Sequence, residues 1–548
     1  MKAPTIVRTL AALCALSLGA VSAAGEPAQP QASAVPIGES IYRFGTLPGG
    51  EPLRGERASG VPVQGASAAC VNCHRRSGLG AAEGRGFIPP ITGQFLFHPR
   101  VSSRDDSDLP YVDGARINRD PFTEETLARA IRQGIGAEGK PLSVLMPHYA
   151  LDDAQMAALV DYLKHLTKTQ VPGVSDSVLQ FATIITPDAD PVKAKAMLSV
   201  LDDYFDEKNA AARAVSPHLR SYHKMMFRAT RKWRLHVWKL TGPANTWEAQ
   251  LQEHLAAEPV FAVLSGIGGK NWAPVHHFCE QAELPCLFPN VDLPVVAEND
   301  FYALYFSRGV LLEAGLIAHQ LQEQPHWSAV RRLVQVYRAD DIGAAAATTL
   351  AGESHRSGLE IVRRVLRAEA GSGLSSALKD IGPGDDLVLW LRPKDLAALG
   401  NHPVKADGVW MSGLMGALEH APLPSAWRSG THMAYPFDLP DKRRIRVDYP
   451  LGWFRIRKVP VLDLQVQADT YLACGLLSET LNHMVDTFVR DYLIERIESM
   501  LEHRIITGYY PRLTLAPGQR FASKGGYMVH FAEPTGAKLM AEGDWTVP

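Results

Sequence analysis

Cys70-Val71-Asn72-Cys73-His74, read together with Leu145-Met146-Pro147 further along, decides how the front of the chain is understood. Two thiols separated by two residues can each add across a haem vinyl group, and a histidine directly after the second is placed to ligate the iron from one face. This is the attachment signature of a c-type haem. A CxxC alone could be half of a zinc site, but zinc wants a second pair of soft ligands at similar spacing. The remaining cysteines, Cys14, Cys279, Cys286 and Cys474, form no second CxxC pair, so the stretch reads as a haem site.

Working outward, Ile88-Pro89-Pro90-Ile91-Thr92-Gly93 is a rigid turn followed by apolar Phe95-Leu96-Phe97. A proline carbonyl here, taken as that of Pro89, is expected to accept a hydrogen bond from the free ring nitrogen of His74, as outer partners of metal ligands do. Thr123-Glu124-Glu125 opens a helix with Leu127, Ala130 and Ile131 as its buried stripe, and Gly134 ends it. Pro141 to Pro147 is an extended loop, after which Asp152 caps a helix carrying Met156, Leu159, Val160, Leu163 and Leu166. Met146 therefore lies on a loop just ahead of the last helix. Before the motif, Gly38 to Gly45 reads as a short helix with aromatic residues, and 46–66, dense in Gly and Pro, reads as an insertion loop.

Over residues 37–168 this order resembles class I cytochrome c: an aromatic-bearing first helix, CxxCH, the Pro-x-Ile-x-Gly turn, a Leu-Met-Pro loop and a final helix with Tyr162-Leu163. The resemblance implies an all-α domain holding one covalent haem c on Cys70 and Cys73, with His74 and Met146 as the two metal ligands. The rivals for the second ligand are Met156, at core spacing in mid-helix, and His98 and His148, which do not fall where the family places its ligand. His/Met ligation leaves no open coordination site and favours the ferrous form, so it implies electron transfer. The long segment before Cys70 and the polar stretch 98–121 depart from the family pattern.

The 548 residues are too many for one compact core, so two or three domains are expected. Residues 1–24 read as a signal peptide: Lys2 and Arg8 precede an apolar run from Leu10 to Val21, and Val21-Ser22-Ala23 offers small residues for cleavage. Its removal takes the net charge from −2 to about −4, which argues against nucleic acid as a partner. No later segment has the apolar length to span a bilayer. Together with the haem motif this points to the periplasm.

Residues 25–36 read as a flexible leader and 169–176 as a linker. Beyond it the rhythm changes to alternating strands and helices: strands at 178–185, 234–240, 260–264, 284–288, 333–337, 359–365, 387–391 and 408–411, helices between them from Pro191 onward. Alternation of this kind argues for parallel sheets covered by helices on both faces, and its length argues for two lobes with crossings between them. Its order resembles a type I periplasmic binding protein, the class used for branched-chain amino acids and related solutes, within a rear domain of residues 177–548. The residues carrying the likeness are Val263-Leu264-Ser265-Gly266-Ile267-Gly268-Gly269, Leu284 to Pro289, Phe301 to Gly309, and Tyr510 to Leu515 through Phe531.

That fold would bind solute between the lobes, where loops leave the carboxyl ends of strands. Ser265, Gly266 and Gly268 lie on one such loop, whose amides could hold an anion ahead of a helix at Trp272, or which could be a plain connection. Tyr337, Asp340 and Asp341 leave a strand of the second lobe and read, one by one, as solvated loop positions, with a place facing the cleft as the alternative. Cys279 and Cys286 bracket a helix end and a strand start, so a local disulfide or two buried thiols would fit. Cys474 reads as a core thiol. Two basic runs, Arg228–Arg234 and Lys442–Lys458, read as edge strands with solvated charges, with a docking patch for an acidic redox partner as the alternative.

The chain thus reads as a multidomain periplasmic electron carrier fused to a solute-binding module, exchanging electrons with a dehydrogenase or terminal acceptor. The alternatives are a solute receptor whose haem reports redox state, or an accessory subunit of a periplasmic quinoprotein dehydrogenase. Nothing resembling a triad, metal cluster or nucleotide fingerprint stands in residues 177–548, so a catalytic site of its own is not expected.

Overall fold

The computed structural model describes residues 35–83, 86–98, 120–166, 171–214, 231–367, 369, 371–484 and 487–548. The signal peptide assigned to residues 1–24, residues 25–34 of the leader, nearly all of 98–121, residues 169–170 of the linker and residues 228–230 of the first basic run lie outside them.

The front module is tied together where its first and last helices cross. Ile37–Glu39 continues into a wider turn, Ser40–Phe44, and meets Asp153–His165. Gly38 allows the approach, because a Cβ there would stand 2.2 Å from the Ala158 carbonyl oxygen and 2.6 Å from Tyr162 Cβ. The rings of Tyr42 and Tyr162 pack beside it at 5.4 Å. Helix Glu124–Gln133 starts where the Thr123 hydroxyl accepts from the Thr126 amide and stops at left-handed Gly134; Asp152 caps Asp153–His165 through the Gln155 amide.

The all-α expectation for this module is corrected. Arg54–Glu56 (β1) pairs antiparallel with Pro62–Gln64 (β2), Ala81–Glu83 (β3) pairs with Gly86–Ile88 (β4), and His148–Tyr149 (β5) adds to the open side of β1. A folded-back Gly/Pro-rich segment must still pair its amides and carbonyls, and short ladders do so.

In the rear module Val178–Ile185 (β6), Lys232–Lys239 (β7), Ala262–Leu264 (β8), Cys286–Leu287 (β9) and Ala303–Leu304 (β10) form a parallel sheet in the order β10-β9-β8-β6-β7. A second sheet contains Arg332–Arg338 (β11), Glu360–Leu366 (β12), Asp385–Trp390 (β13), Gly408–Ser412 (β14), Thr431–Tyr435 (β15), Tyr527–Phe531 (β16) and Leu539–Ala541 (β17). Its order is β12-β11-β13-β14-β15-β16-β17, parallel as far as β15, with β16 and β17 antiparallel. β8, β13 and β14 are buried along their whole length, as central strands covered on both faces must be.

Two sheets make two lobes, and the chain crosses between them more than once. Leu464–Met484 returns to the first lobe, packs on Pro191–Ala214, and is followed by Arg490–Leu501. Later, Phe521 bridges to Tyr305 before the chain enters β16. Lys442–Lys458 is not an edge strand: Pro440–Arg457 is a helix ending at left-handed Lys458. The described part of the other basic run, Arg231–Arg234, does lead into β7, an edge strand.

Front and rear share packing. Leu79 and Phe95 belong to the same apolar core as Leu179, Phe181 and Ile494. Among the described residues no helix is long and apolar enough to cross a membrane.

Candidate functional site

His74 ends the short helix Val71–His74 with its side chain buried. Its Nδ1 lies 3.0 Å from the Pro89 carbonyl oxygen, which fixes the ring and leaves Nε2 as the other nitrogen. Burial lowers the affinity of the imidazole for a proton, against the pull of the Pro89 carbonyl, so the ring is held neutral. Cys70 is half-buried and Cys73 exposed, and both are free thiols. Burial pushes the Cys70 thiol up to about 12.

Half-buried Cys70, Val71, Ile91, Phe97 and Met146 edge the front core. Met146 sits in a turn where its amide donates to the Ser143 carbonyl, and its neighbours Val144 and Leu145 are exposed. Of the rivals, Met156 is buried on the core face of its helix and His98 is exposed. His148 is half-buried in β5 with its ring against Gly134, where a Cβ would lie 2.1 Å from Nε2.

The three residues after His74 dock the motif onto the rear module. Arg75 adopts φ 64°, a conformation a side chain rarely takes, and its carbonyl accepts from the Tyr42 hydroxyl at 2.7 Å. Its guanidinium pairs with Glu498, which Arg520 also engages. Arg76 donates to Glu283 at 3.0 Å and to the Tyr302 hydroxyl at 3.2 Å, and its guanidinium lies over the Phe301 ring, 4.5 Å from the centroid. Tyr302 in turn donates to Asp491 at 2.5 Å. Ser77 donates its amide and its hydroxyl to Glu495. Asp491, Glu495 and Glu498 fall on one face of Arg490–Leu501, a pattern of acids at helical spacing that is present in the sequence but absent from the expectations drawn from it.

In the rear module the proposed cleft residues have their own partners. Ser265 is buried; its hydroxyl bonds to the Thr470 hydroxyl and accepts from the Asn290 side-chain amide, both at 3.0 Å. Gly266 and Gly268 let the loop pass over the Trp272 ring, with Cβ positions 2.7 and 2.8 Å from it. The amides of Gly269 and Lys270 donate to Asp188 at 3.3 and 2.7 Å, so an internal carboxylate occupies the place where a solute anion was expected. Burial opposes the charge on Asp188, but the Thr186 hydroxyl and these amides outweigh it and hold the carboxyl below its usual range. Tyr337 is buried, whereas Asp340 is exposed and pairs with Lys270 at 3.0 Å, linking loops of the two lobes. Arg392 makes a second link, gripping Asp341 at 2.9 Å and reaching Asp292 at 3.6 Å.

Cys279 and Cys286 are buried, free thiols; the neighbouring Cys286 thiol, with burial, pushes Cys279 well up. Cys474 is buried in Leu464–Met484.

Two lobes, one on a parallel sheet and one on a sheet parallel as far as β15, give the rear module a periplasmic-binding-protein-like fold. Residues 64–167 match the family model for cytochrome c, so the chain carries a cytochrome c domain in front of that fold. A branched chain amino acid ABC transporter from Thermus thermophilus, solved with bound valine, is similar at 11% identity and a TM-score of 0.51, covering 68% of this chain and 98% of that one. A substrate-binding periplasmic protein from Ralstonia solanacearum is similar at 14% identity and a TM-score of 0.49, covering 66% of this chain and 100% of that one. No curated protein sequence matches the chain. The cytochrome c family implies haem c as the cofactor.

Proposed function

We propose that the chain is an exported periplasmic carrier of single electrons, with one haem c held through Cys70 and Cys73 and ligated by His74 and Met146. The observation that carries the reading is the buried imidazole of His74, with Nδ1 committed to the Pro89 carbonyl, one residue after a free thiol. An oriented imidazole, two unpaired thiols and a half-buried apolar rim that includes Met146 fit a covalently attached porphyrin. When bound, that group supplies one-electron chemistry with no open site for a substrate. The protein's own part is to fix the ring of His74, hold its neutral form, exclude water with Ile91 and Phe97, and offer Met146 from the loop. The exposed Cys73 side leaves an edge for a redox partner such as a dehydrogenase or terminal acceptor.

The rear module serves as the platform for this site. Because Asp188 satisfies the Gly269 and Lys270 amides, its cleft is better suited to holding the lobes together than to binding a carboxylate solute at that loop. A second reading, a receptor in which small-molecule binding between the lobes is felt at the haem, is favoured by the contacts of Arg75, Arg76 and Ser77 with the first lobe.

The test is expression with haem-attachment machinery followed by mass spectrometry and reduced-state spectra. A single covalent haem, lost in Cys70→Ser/Cys73→Ser and changed in its sixth ligand by Met146→Leu, is expected. A colourless chain with unmodified thiols overturns the reading.

A further inference from the structure

We propose that His276, Glu280 and Asp300 form a binding site for one divalent transition-metal cation, distinct from the haem motif. His276 and Glu280 stand one turn apart on helix Ala273–Gln281 and so share a face, while Asp300 comes from the loop ahead of β10. One ligand atom from each lies within 4.8 Å of the others.

The histidine is what distinguishes this cluster from ordinary surface acids. His276 is 1% exposed, and its Nδ1 is 2.8 Å from the Tyr305 hydroxyl. The other nitrogen, Nε2, lies 2.9 Å from Asp300 Oδ2 in an ion-pair contact that is off the direction of a ring N–H. A buried ring nitrogen with only a misaligned carboxylate contact, set beside a second carboxylate, is better satisfied by a cation placed among the three.

The supporting contacts fit the same role. Tyr305 fixes the ring, as groups behind a ligating histidine do. Glu280 is fixed by the amides of Phe301, Tyr302 and Ala303 at 3.0, 2.9 and 2.7 Å. Two of these go to Oε1 and one to Oε2, so Oε2 keeps a lone pair. One imidazole and two carboxylates suit Zn2+ or Mn2+ rather than a soft monovalent ion, and a dication balances the two negative charges. Phe301 and Tyr302 are the residues under Arg76, so a cation here would brace the ledge on which the front module rests.

The experiment titrates Zn2+ into the chelator-treated full-length chain by calorimetry, with thermal melts in parallel. The wild type is expected to take up one more equivalent than Asp300→Asn and His276→Gln, or to bind it about 10-fold or more tightly. Its melting point should rise with Zn2+ and that of the variants should not. The difference between wild type and variants removes any zinc held by Cys70 and Cys73. Cys279→Ser/Cys286→Ser, which removes the two thiols nearest in sequence, should keep the site. Far-UV circular dichroism checks that each variant is folded; should His276→Gln unfold, Asp300→Asn, altered at a less buried position, decides alone. Uptake equal in wild type and Asp300→Asn, no uptake, or loss confined to the cysteine variant overturns the proposal.

Discussion

Ser77 and Glu495 meet through two hydrogen bonds, the amide to Oε1 at 2.9 Å and the hydroxyl to Oε2 at 2.6 Å, although they belong to different modules. The Glu495 carboxyl is buried, and its partner Ser77 stands three residues beyond His74. Burial dominates its ionisation and pushes it up to about 8, against the Ser77 bonds and the charge of Arg75.

A carboxyl whose folded pKa lies above its unfolded value favours the folded state fully below the unfolded pKa, and that contribution is lost as pH rises through the folded one. The wild type should lose stability between about pH 4.5 and 8, by on the order of a few kcal/mol at most. Glu495→Gln should flatten that slope. Thermal unfolding of both chains across this range checks it; parallel profiles for the two would contradict the assignment.

Arg75 carries a second expectation. Its guanidinium and that of Arg520 share the buried Glu498, so Arg75→Ala removes half of the compensation and should cost about 2–4 kcal/mol. Arg75→Lys keeps a charge but not the planar fork, and should recover only part of this. Denaturant unfolding of the whole chain distinguishes the two, and a loss below about 0.5 kcal/mol would show the pair to be a surface contact in effect.

How much of this the sequence disclosed depends on the range of the interaction. The haem motif, the Thr123 and Asp152 caps and the strands β6, β11 and β13 are written in local spacing, and could be read directly. Pro440–Arg457 could not, because Pro450 and Gly452 inside it argue against a helix and its apolar residues fall on two faces: Ile445, Tyr449 and Ile456 are exposed while Val447 and Phe454 are buried. β16 and β17 join their sheet only after three helices have intervened, and β1, β2 and β5 are two or three residues long, too short for period-2 alternation to register. The carboxylate of Asp188 was invisible to the reading of Ser265–Asn271 because nothing local links the two loops. The acids of Arg490–Leu501 were the missed opportunity: Glu495 and Glu498 interrupt a run of buried Leu493, Ile494 and Ile497, and buried acids on an apolar face ask for partners.

Gly38 gives a packing test within the front module. Alanine there would drive a methyl group into the Ala158 carbonyl and Tyr162, forcing the first and last helices apart at a cost of about 1–3 kcal/mol. The expected result is a lower melting point and poorer retention of folded front module after proteolysis, with the rear module intact. An unchanged melt for Gly38→Ala would mean that the helices do not cross at this contact.

Arg392 tests whether the cleft is held by its own charges. Its guanidinium binds Asp341, on the same lobe, and reaches Asp292, on the other; burial works against the charge, yet the two acids raise its affinity for the proton. Lys270–Asp340 is a weaker link, because both partners are largely exposed and such pairs contribute about 0–1 kcal/mol. Arg392→Ala should therefore cost about 1–3 kcal/mol by leaving Asp341 without its partner, while Lys270→Ala should scarcely move the melt. The two should differ less in small-angle scattering, where either loss removes a tie between lobes and increases the radius of gyration. Added salt should widen the Arg392→Ala chain further, because only the exposed Lys270–Asp340 tie remains and salt screens it. If scattering from Arg392→Ala matches the wild type at every salt concentration, the lobes are held by packing around Thr470 and Tyr305, and the charges at the cleft mouth do not set its width.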